Sequence, residues 1–559
     1  MPQHIPETQH AVQLTGPDEL MLNRNKAVTA PGVHQILCRV LASGLCFSDL
    51  KLLKQFSKHV RKTPVIAGLE PDVLKGIPGY VPDELATVPG HEAVVEVSAV
   101  GDCVEGFERG DRYLVQADWR WIKTKSANAA FGYNFEGALQ EYVLLDTRTI
   151  TSPDGESMLL PVRQNDLSAA AIALVEPWAC VEQAYAVKER KTIKTGGRML
   201  IVVEVGIDLQ VLKRFLHRFG KPQAITIISE KTELSIAEVY VIRVGNISEL
   251  PDEAFDDVIY FGSSADTLES LFPKLAGRGL LNIILCGGRI GRAVKCHIGR
   301  VHYGGLRVIG TTGVDPSESL SCIPSSGEIR PGNAIDVIGA GGPMGVMHVI
   351  RNICQGVKDV SIFAGDIDDE RLNTLSKIAK PLADRNKIAY HTYNAANESP
   401  AEKFDYVILM APVPALVAQS VQNCARGGII NIFAGIPAGV SGKIDLDSYI
   451  EKQLYFIGTS GSTVEDMKRV LHKVESGLLD TNLSVAAIGG LEGAIEGIRA
   501  VENRLISGKI LIYPSCHGLA LVALDRLEGD LAPVAKCLSN GAWNKKAEET
   551  LLSIYADRT

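Results

Sequence analysis

The sequence predicts an α/β protein: an irregular β-rich domain followed by two tandem, doubly wound α/β modules. Short alternating strands punctuated by Gly, Pro and Asp fill residues 31–115. From about residue 195 strands alternate with helices, which implies a parallel sheet covered on both faces. Within that stretch the chain repeats itself at a spacing of 148 residues.

Three strands mark the β-rich part: Gln35–Val40, Ala93–Val97 and Arg112–Val115. Leu167–Glu189 is Ala-rich and helical in character, and Pro177 predicts a kink or break near Glu176 because proline lacks the helical N–H and clashes with the preceding turn. The repeat follows. Arg278–Leu285 matches Arg426–Phe433 and Leu306–Gly313 matches Leu454–Gly461, each 148 positions on (426 − 278; 454 − 306). Phe255–Ile259 echoes Phe404–Ile408, and Gly197–Val203 echoes Gly332–Ile338. One large sheet of look-alike Val/Ile strands is the alternative, and the constant offset disfavours it. The expected division is 1–190 for the β-rich domain, 191–325 and 326–480 for the modules, and 481–559 for a segment that returns to the first domain and ends in a helical tail.

A chain of 559 residues has room for about three to four domains. Its 46% apolar and 22% charged residues are ordinary for a globular enzyme. A net charge of −8 without a long Lys/Arg run speaks against nucleic acid or an anionic membrane as partner. The polar, proline-bearing start Met1–Pro6 lacks the basic-then-apolar order of a secretory signal, and no apolar run reaches the ~18 residues of a spanning helix. A cytoplasmic location is the default expectation. Eleven scattered cysteines, an odd number, read as reduced thiols.

The second module opens with a strand, Ile335–Ile338, then Gly339-Ala340-Gly341-Gly342-Pro343-Met344-Gly345 and a helical run through Ile353. In that context the glycines permit a tight turn and bring backbone N–H groups up to a pyrophosphate at a helix N-terminus. The spacing reads as G-x-G-x-x-x-G or, one residue later, A-x-G-x-x-G. The next strand, Val360–Gly365, ends at Asp366, 25 residues beyond the turn (366 − 341). An acid there accepts ribose hydroxyls and repels a 2′-phosphate, which favours NAD(H) over NADP(H); capping of the helix that begins near Asp368 is the competing role. The corresponding turn of the first module, Val203–Leu209, keeps only Gly206 and carries Glu204 and Asp208 where phosphates would lie. It is expected to be structural or regulatory.

Three short stretches in the first part of the chain bring together sulfur, nitrogen and oxygen donors: Cys46-Phe47-Ser48-Asp49, Gly90-His91-Glu92 and Val175-Glu176-Pro177. Zinc takes such donors tetrahedrally, and a catalytic site leaves one corner open. Singly, Cys46 reads as a buried thiol and His91 as an ordinary imidazole; the joint pattern points to the metal. Ser48, two residues from a ligand, can relay a proton, and Asp49 can orient a histidine ligand.

These stretches, with Gly106-x-x-x-Gly110-Asp111-Arg112, Gly137-Ala138-x-x-Glu141-Tyr142 and the glycine turn, resemble in order the zinc-dependent medium-chain dehydrogenase/reductase family and, within it, the polyol (sorbitol) dehydrogenase branch. The resemblance runs over about 25–190 and 326–514. It implies a GroES-like catalytic domain, Rossmann-like modules, and one catalytic zinc held by Cys46, His91 and Glu176, with Glu92 as an alternate fourth ligand. Residues 113–136 contain no cysteine, so a second, structural zinc is not expected. Lys51 stands where many relatives carry a proton-relaying histidine.

The implied reaction is hydride transfer between a secondary alcohol and NAD, with the metal as Lewis acid and Ser48, Asp49 and Glu92 around it. Residues 118–137 are similar to the loop of sorbose-1-phosphate reductase-like members and suit a polyol or sugar, with Arg120, Lys123 or Lys125 available to a phosphate. An amino alcohol or other secondary alcohol is the alternative substrate, and a non-catalytic NAD-dependent sensor the alternative class. A homo-oligomer is the default for a soluble enzyme, although an added module could cover or replace the usual edge-to-edge contact.

Overall fold

The computed structural model describes residues 5–164, 166–229 and 239–556, so the stretch Met1–His4, read above for a leader, lies outside the described residues. The chain divides into two compact units: Met1–Ala179 with Ser462–Thr559, and Cys180–Gly461. Among the described residues, which include all eleven cysteines, no disulfide forms. Among them, too, no helix is long and apolar enough to cross a membrane.

The first unit is built around the strand Gln35–Gly44, which is buried along most of its length. Glu92–Val100 runs antiparallel along one edge of it, while Tyr142–Asp146 and Lys509–Ile512 share the other. Gly44 therefore stands between Glu92 on one side and Leu511 on the other. The chain leaves Gly44 and turns at once into the helix Phe47–Gln55, whose apolar residues Leu50 and Leu53 pack with Leu491, Ala494 and Ile498 of the helix Leu491–Glu502. The last helix, Lys545–Ala556, is pinned by Glu548, whose carboxylate accepts the N–H groups of Ala169 (2.6 Å) and Ala170 (2.9 Å) at the start of the helix Ala169–Ala173.

The expected helix Leu167–Glu189 is two helices, Ala169–Ala173 and Val175–Ala186, broken at Leu174. The break falls two residues before Glu176 because Pro177 is tolerated in the first turn of the second helix, where its missing N–H has no partner to lose.

Among its described residues the second unit contains two six-stranded parallel sheets. The first runs through Arg198–Val203, Ala224–Ile228, Tyr240–Arg243, Phe255–Phe261, Leu275–Ile284 and Arg307–Thr311. The second runs through Ala334–Ile338, Ser361–Asp366, Ala389–Asn394, Phe404–Leu409, Cys424–Ile432 and Tyr455–Ile457. Both have the spatial order 3-2-1-4-5-6, that of the doubly wound dinucleotide-binding fold, with the turn after the first strand at the switch point.

Strand pairing corrects part of the repeat. Asn282 lies opposite Ile259 and Asn431 opposite Ile408, so these asparagines are counterparts 149 positions apart (431 − 282), one more than the match of Arg278 with Arg426 implies. Arg278 adopts a left-handed φ of 59° and takes the place of Gly427, whose φ is 75°. Backbone conformation, not residue type, fixes the register.

Asp336, in the second sheet, is buried and accepts a hydrogen bond from the Tyr393 hydroxyl (2.8 Å). Burial pushes its carboxyl up to about 7, against the pull of Tyr393. A folded value above the unfolded one, about 4, means that the fold loses stability as pH rises from about 4 to 7 and no further above it. Asp336→Asn is therefore expected to raise the melting temperature relative to the parent by a few degrees more at pH 8 than at pH 4, measured by calorimetry.

Candidate metal centre and dinucleotide turn

The thiol of Cys46, the imidazole of His91 and the carboxylate of Glu92 converge, with their ligand atoms all within 4.8 Å of one another. His91 and Glu92 are buried and Cys46 half-buried. Cys46 is the N-cap of the helix Phe47–Gln55, which places its sulfur at the positive end of that helix. Asp49, in the same first turn, binds two elements together: one oxygen accepts the Cys46 backbone N–H (3.0 Å) and the other meets His91 Nδ1 (2.9 Å). With Nδ1 held there, Nε2 faces the sulfur side. The Ser48 hydroxyl lies 3.1 Å from both Cys46 Sγ and His91 Nε2. Burial alone would push His91 down, but Asp49 outweighs it and holds the imidazole well above its usual range.

Glu92 is fully buried. Its Oε1 accepts from Lys509 Nζ at 2.6 Å, and Lys509 also donates to the Leu45 carbonyl at 2.7 Å. Burial disfavours the ammonium, yet Glu92 first and then Cys46 reverse this and raise it. The second oxygen, Glu92 Oε2, is buried without a hydrogen-bond partner. A Cβ on Gly44 would collide with that oxygen, so glycine there keeps its place clear. A buried acceptor left open beside a sulfur and an imidazole nitrogen is a donor set suited to zinc.

Glu176 is not among the three residues whose ligand atoms gather; it is half-buried at the start of its helix and near enough to act on Lys509. Arg120 bonds Asp118 and the Ser462 carbonyl, and Lys123 bonds Asn128, so both are engaged within their own neighbourhood. From the same loop it is Tyr133 that reaches the centre, its ring 5.8 Å from that of His91 and 5.1 Å from that of His59, with the Arg61 guanidinium 5.8 Å from its centroid. Burial, aided by Arg61 and Lys51, pushes His59 down to about 4, so it is neutral at pH 7. Lys509, His59, Arg61 and Tyr133 as centre residues escaped the sequence reading, because long-range packing rather than local spacing brings them here.

In the second unit the turn Gly339–Gly342 leads into the helix Pro343–Cys354. Gly342 caps that helix without a side chain, so its first N–H groups have no side-chain cap. Asp366, at the end of Ser361–Asp366, accepts the Gly341 N–H at 2.9 Å, while Asp368 rather than Asp366 caps the next helix through Glu370 and Arg371 N–H. Gly345 is required by packing, since a Cβ there would strike the Gly339 carbonyl. Arg371 flanks Gly341, a cation the sequence reading passed over.

The first sheet differs at this place. Pairing aligns Val202, not Val203 as the match of Gly197–Val203 with Gly332–Ile338 implies, with Ile338, hence Val203-Glu204-Val205 with Gly339-Ala340-Gly341. The Glu204 carboxylate accepts from the Tyr260 and Thr267 hydroxyls, and Asp208 caps the following helix at Gln210 N (2.8 Å). Carboxylates of the chain, held by its own donors, fill this turn.

Gly44→Ala is expected to displace Glu92 and lower the melting temperature by several degrees, and Lys509→Ala to cost about 3–5 kcal/mol by leaving Glu92 buried without its cation; denaturant titration measures both.

Residues 32–154 match the family model described as "Alcohol dehydrogenase GroES-like domain". The chain is 29% identical over 247 residues to the uncharacterised protein YggP of Escherichia coli (strain K12), covering 41% of this chain and 58% of that protein. It is 28% identical over 251 residues to the mannitol-1-phosphate 5-dehydrogenase of Aliivibrio fischeri, with 41% and 58% covered, and 23% identical over 240 residues to the L-sorbose 1-phosphate reductase of Klebsiella pneumoniae, with 41% and 57% covered. The chain thus spans under two thirds of the length of these relatives. Among solved structures, the 2R,3R-butanediol dehydrogenase of Bacillus subtilis shares the fold, with a TM-score of 0.50 and 14% identity over 91% of this chain and 100% of that one. The first unit of this α/β chain therefore carries, over 32–154, an alcohol dehydrogenase GroES-like domain.

Proposed function

We propose that the chain is a zinc- and NAD(H)-dependent oxidoreductase that interconverts a secondary alcohol and its ketone on a polyol or sugar. The observation that carries this is the convergence of Cys46, His91 and Glu92, with Glu92 Oε2 buried and open. Cys46, His91 and a carboxylate would hold the metal, Glu92 from within the gathered trio and Glu176 as the further candidate. When bound, zinc supplies Lewis acidity that brings the pKa of a coordinated hydroxyl toward neutrality.

The chain's own residues do the rest. Asp49 fixes the histidine ring, so that Nε2 offers its lone pair. Lys509 holds one oxygen of Glu92 and so orients the other. Ser48 Oγ, beside both donors, carries the proton to or from the alcohol oxygen. Tyr133, stacked on His59, hydrogen-bonds the same Ser48 side chain and so helps to orient it. In the dinucleotide turn the open helix start receives the pyrophosphate, and Asp366, which already accepts the N–H groups of Gly341, Ile367 and Asp368, takes a ribose hydroxyl with the capacity left to it, its charge repelling a 2′-phosphate.

The names of two relatives, a mannitol-1-phosphate dehydrogenase and an L-sorbose 1-phosphate reductase, support a phosphorylated substrate. Arg61, over Tyr133 and paired with Asp118 at 3.5 Å, is the cation near the centre that would meet that phosphate.

Purified protein is expected to bind one zinc and to oxidise NADH with a keto-sugar or its phosphate, with a preference over NADPH, followed by absorbance. Zinc-free protein under saturating supply, or NADH binding without turnover across a polyol panel, overturns the enzyme in favour of a sensor. Ser48→Ala is expected to lower kcat about 10²–10⁴-fold with zinc retained. Comparing the zinc content of Glu92→Gln and Glu176→Gln identifies the carboxylate ligand.

A further inference from the structure

The two sheets of the second unit meet by contacts that exchange their roles. Val294–Cys296 pairs antiparallel with Gly442–Ile444, and at its centre Lys295 stands opposite Lys443, its own counterpart 148 positions on (443 − 295). On either side Val294 faces Ile444 and Cys296 faces Gly442, the same pair of positions with the partners swapped. A residue facing its own repeat, flanked by exchanged pairs, is the signature of an interface with a two-fold axis.

The reciprocity extends away from that axis. A Cβ on Gly310, in the first sheet's edge strand, would strike Ile450 of the second module. A Cβ on Gly458, the counterpart of Gly310 (458 − 310 = 148), would strike His302, the counterpart of Ile450 (450 − 302 = 148). Each edge strand thus receives a helix of the other module at the same small residue. The N–H groups of Ile290 and Gly291 cross to Asp447 (2.9 and 2.8 Å), and Gly299, at the position matching Asp447 (447 − 299 = 148), donates across to the Val440 carbonyl (3.1 Å). One apolar cluster runs through both halves, with Val294, Val301 and Val308 from the first and Ile444, Ile450 and Phe456 from the second.

Only one half keeps an open nucleotide turn. The other has Glu204 and Asp208 on the ground of the phosphates, each engaged by the chain's own donors.

We infer that the first module is a built-in partner subunit for the second: it covers the second sheet's edge through the self-complementary contact of a symmetric dimer, with its own nucleotide turn filled by its own carboxylates, so that one chain carries a single dinucleotide site. The interaction surface is the ribbon Val294–Cys296, the helix Gly299–Gly304 and the strand Arg307–Thr311; its partner is the matching surface of the same chain. The second module consequently needs no second copy of the chain at this edge.

Two measurements on the full-length protein test this. A short amine-reactive bifunctional reagent, applied to dilute protein and read by peptide mass spectrometry, is expected to join Lys295 to Lys443 within the monomer band; the same link confined to a dimer band, or its absence while other exposed lysines react, overturns the inference. Calorimetric titration with NADH is expected to give one site per chain, and two sites overturn it. Only the stoichiometry rests on the dinucleotide reading: no NADH binding at all would sink that reading and with it the single site, while the cross-link decides the pairing without any cofactor.

Discussion

The carboxylate of Asp49 is the constraint on which the candidate centre depends. It closes the first turn of a helix at Cys46 and, with its other oxygen, fixes an imidazole delivered by a different strand. Two donors from distant stretches of sequence become one geometry through a single buried side chain. The buried pair of Glu92 and Lys509 does the corresponding work on the oxygen donor, and here the desolvation cost is offset only because each charge has the other and Lys509 has a carbonyl besides. An arrangement of this kind is expensive to maintain for stability alone, which is why an open buried oxygen beside it reads as a ligand position.

Much of the architecture was legible in the residues. Short apolar runs bounded by Gly, Pro and Asp located the strand Gln35–Gly44 and matched Arg112–Val115 to the residue, since a buried strand reads as such a run between turn residues. The glycine turn was recognisable because strand, glycines and helix follow one another without a gap, and Asp366 ends the next strand as its spacing implied. The break in the Leu167–Glu189 run was anticipated but misplaced: proline signals that a helix is interrupted without saying on which side its first turn can absorb it.

What stayed hidden depends on long-range pairing. Lys509 comes from a strand 417 residues from Glu92, and no local pattern announces which lysine will be drawn into a core. The register of the repeat slipped by one residue because Arg278 performs, in a left-handed conformation, what Gly427 does in the other module. Tyr133 lies within the stretch 118–137 that reads as suiting a polyol or sugar, but its place beside His91 follows from how that loop packs, not from its composition.

The span between Glu92 and its counter-ion carries a consequence for biosynthesis. During translation the amino-terminal donors emerge first, and everything from Cys180 to Gly461 must be made before the strand that neutralises Glu92 leaves the ribosome. Until then the nascent first unit holds an acidic group with no basic mate and a sheet missing a strand, so its closure waits for that late strand, and the intervening unit has time to fold on its own before the early and late segments are stitched together.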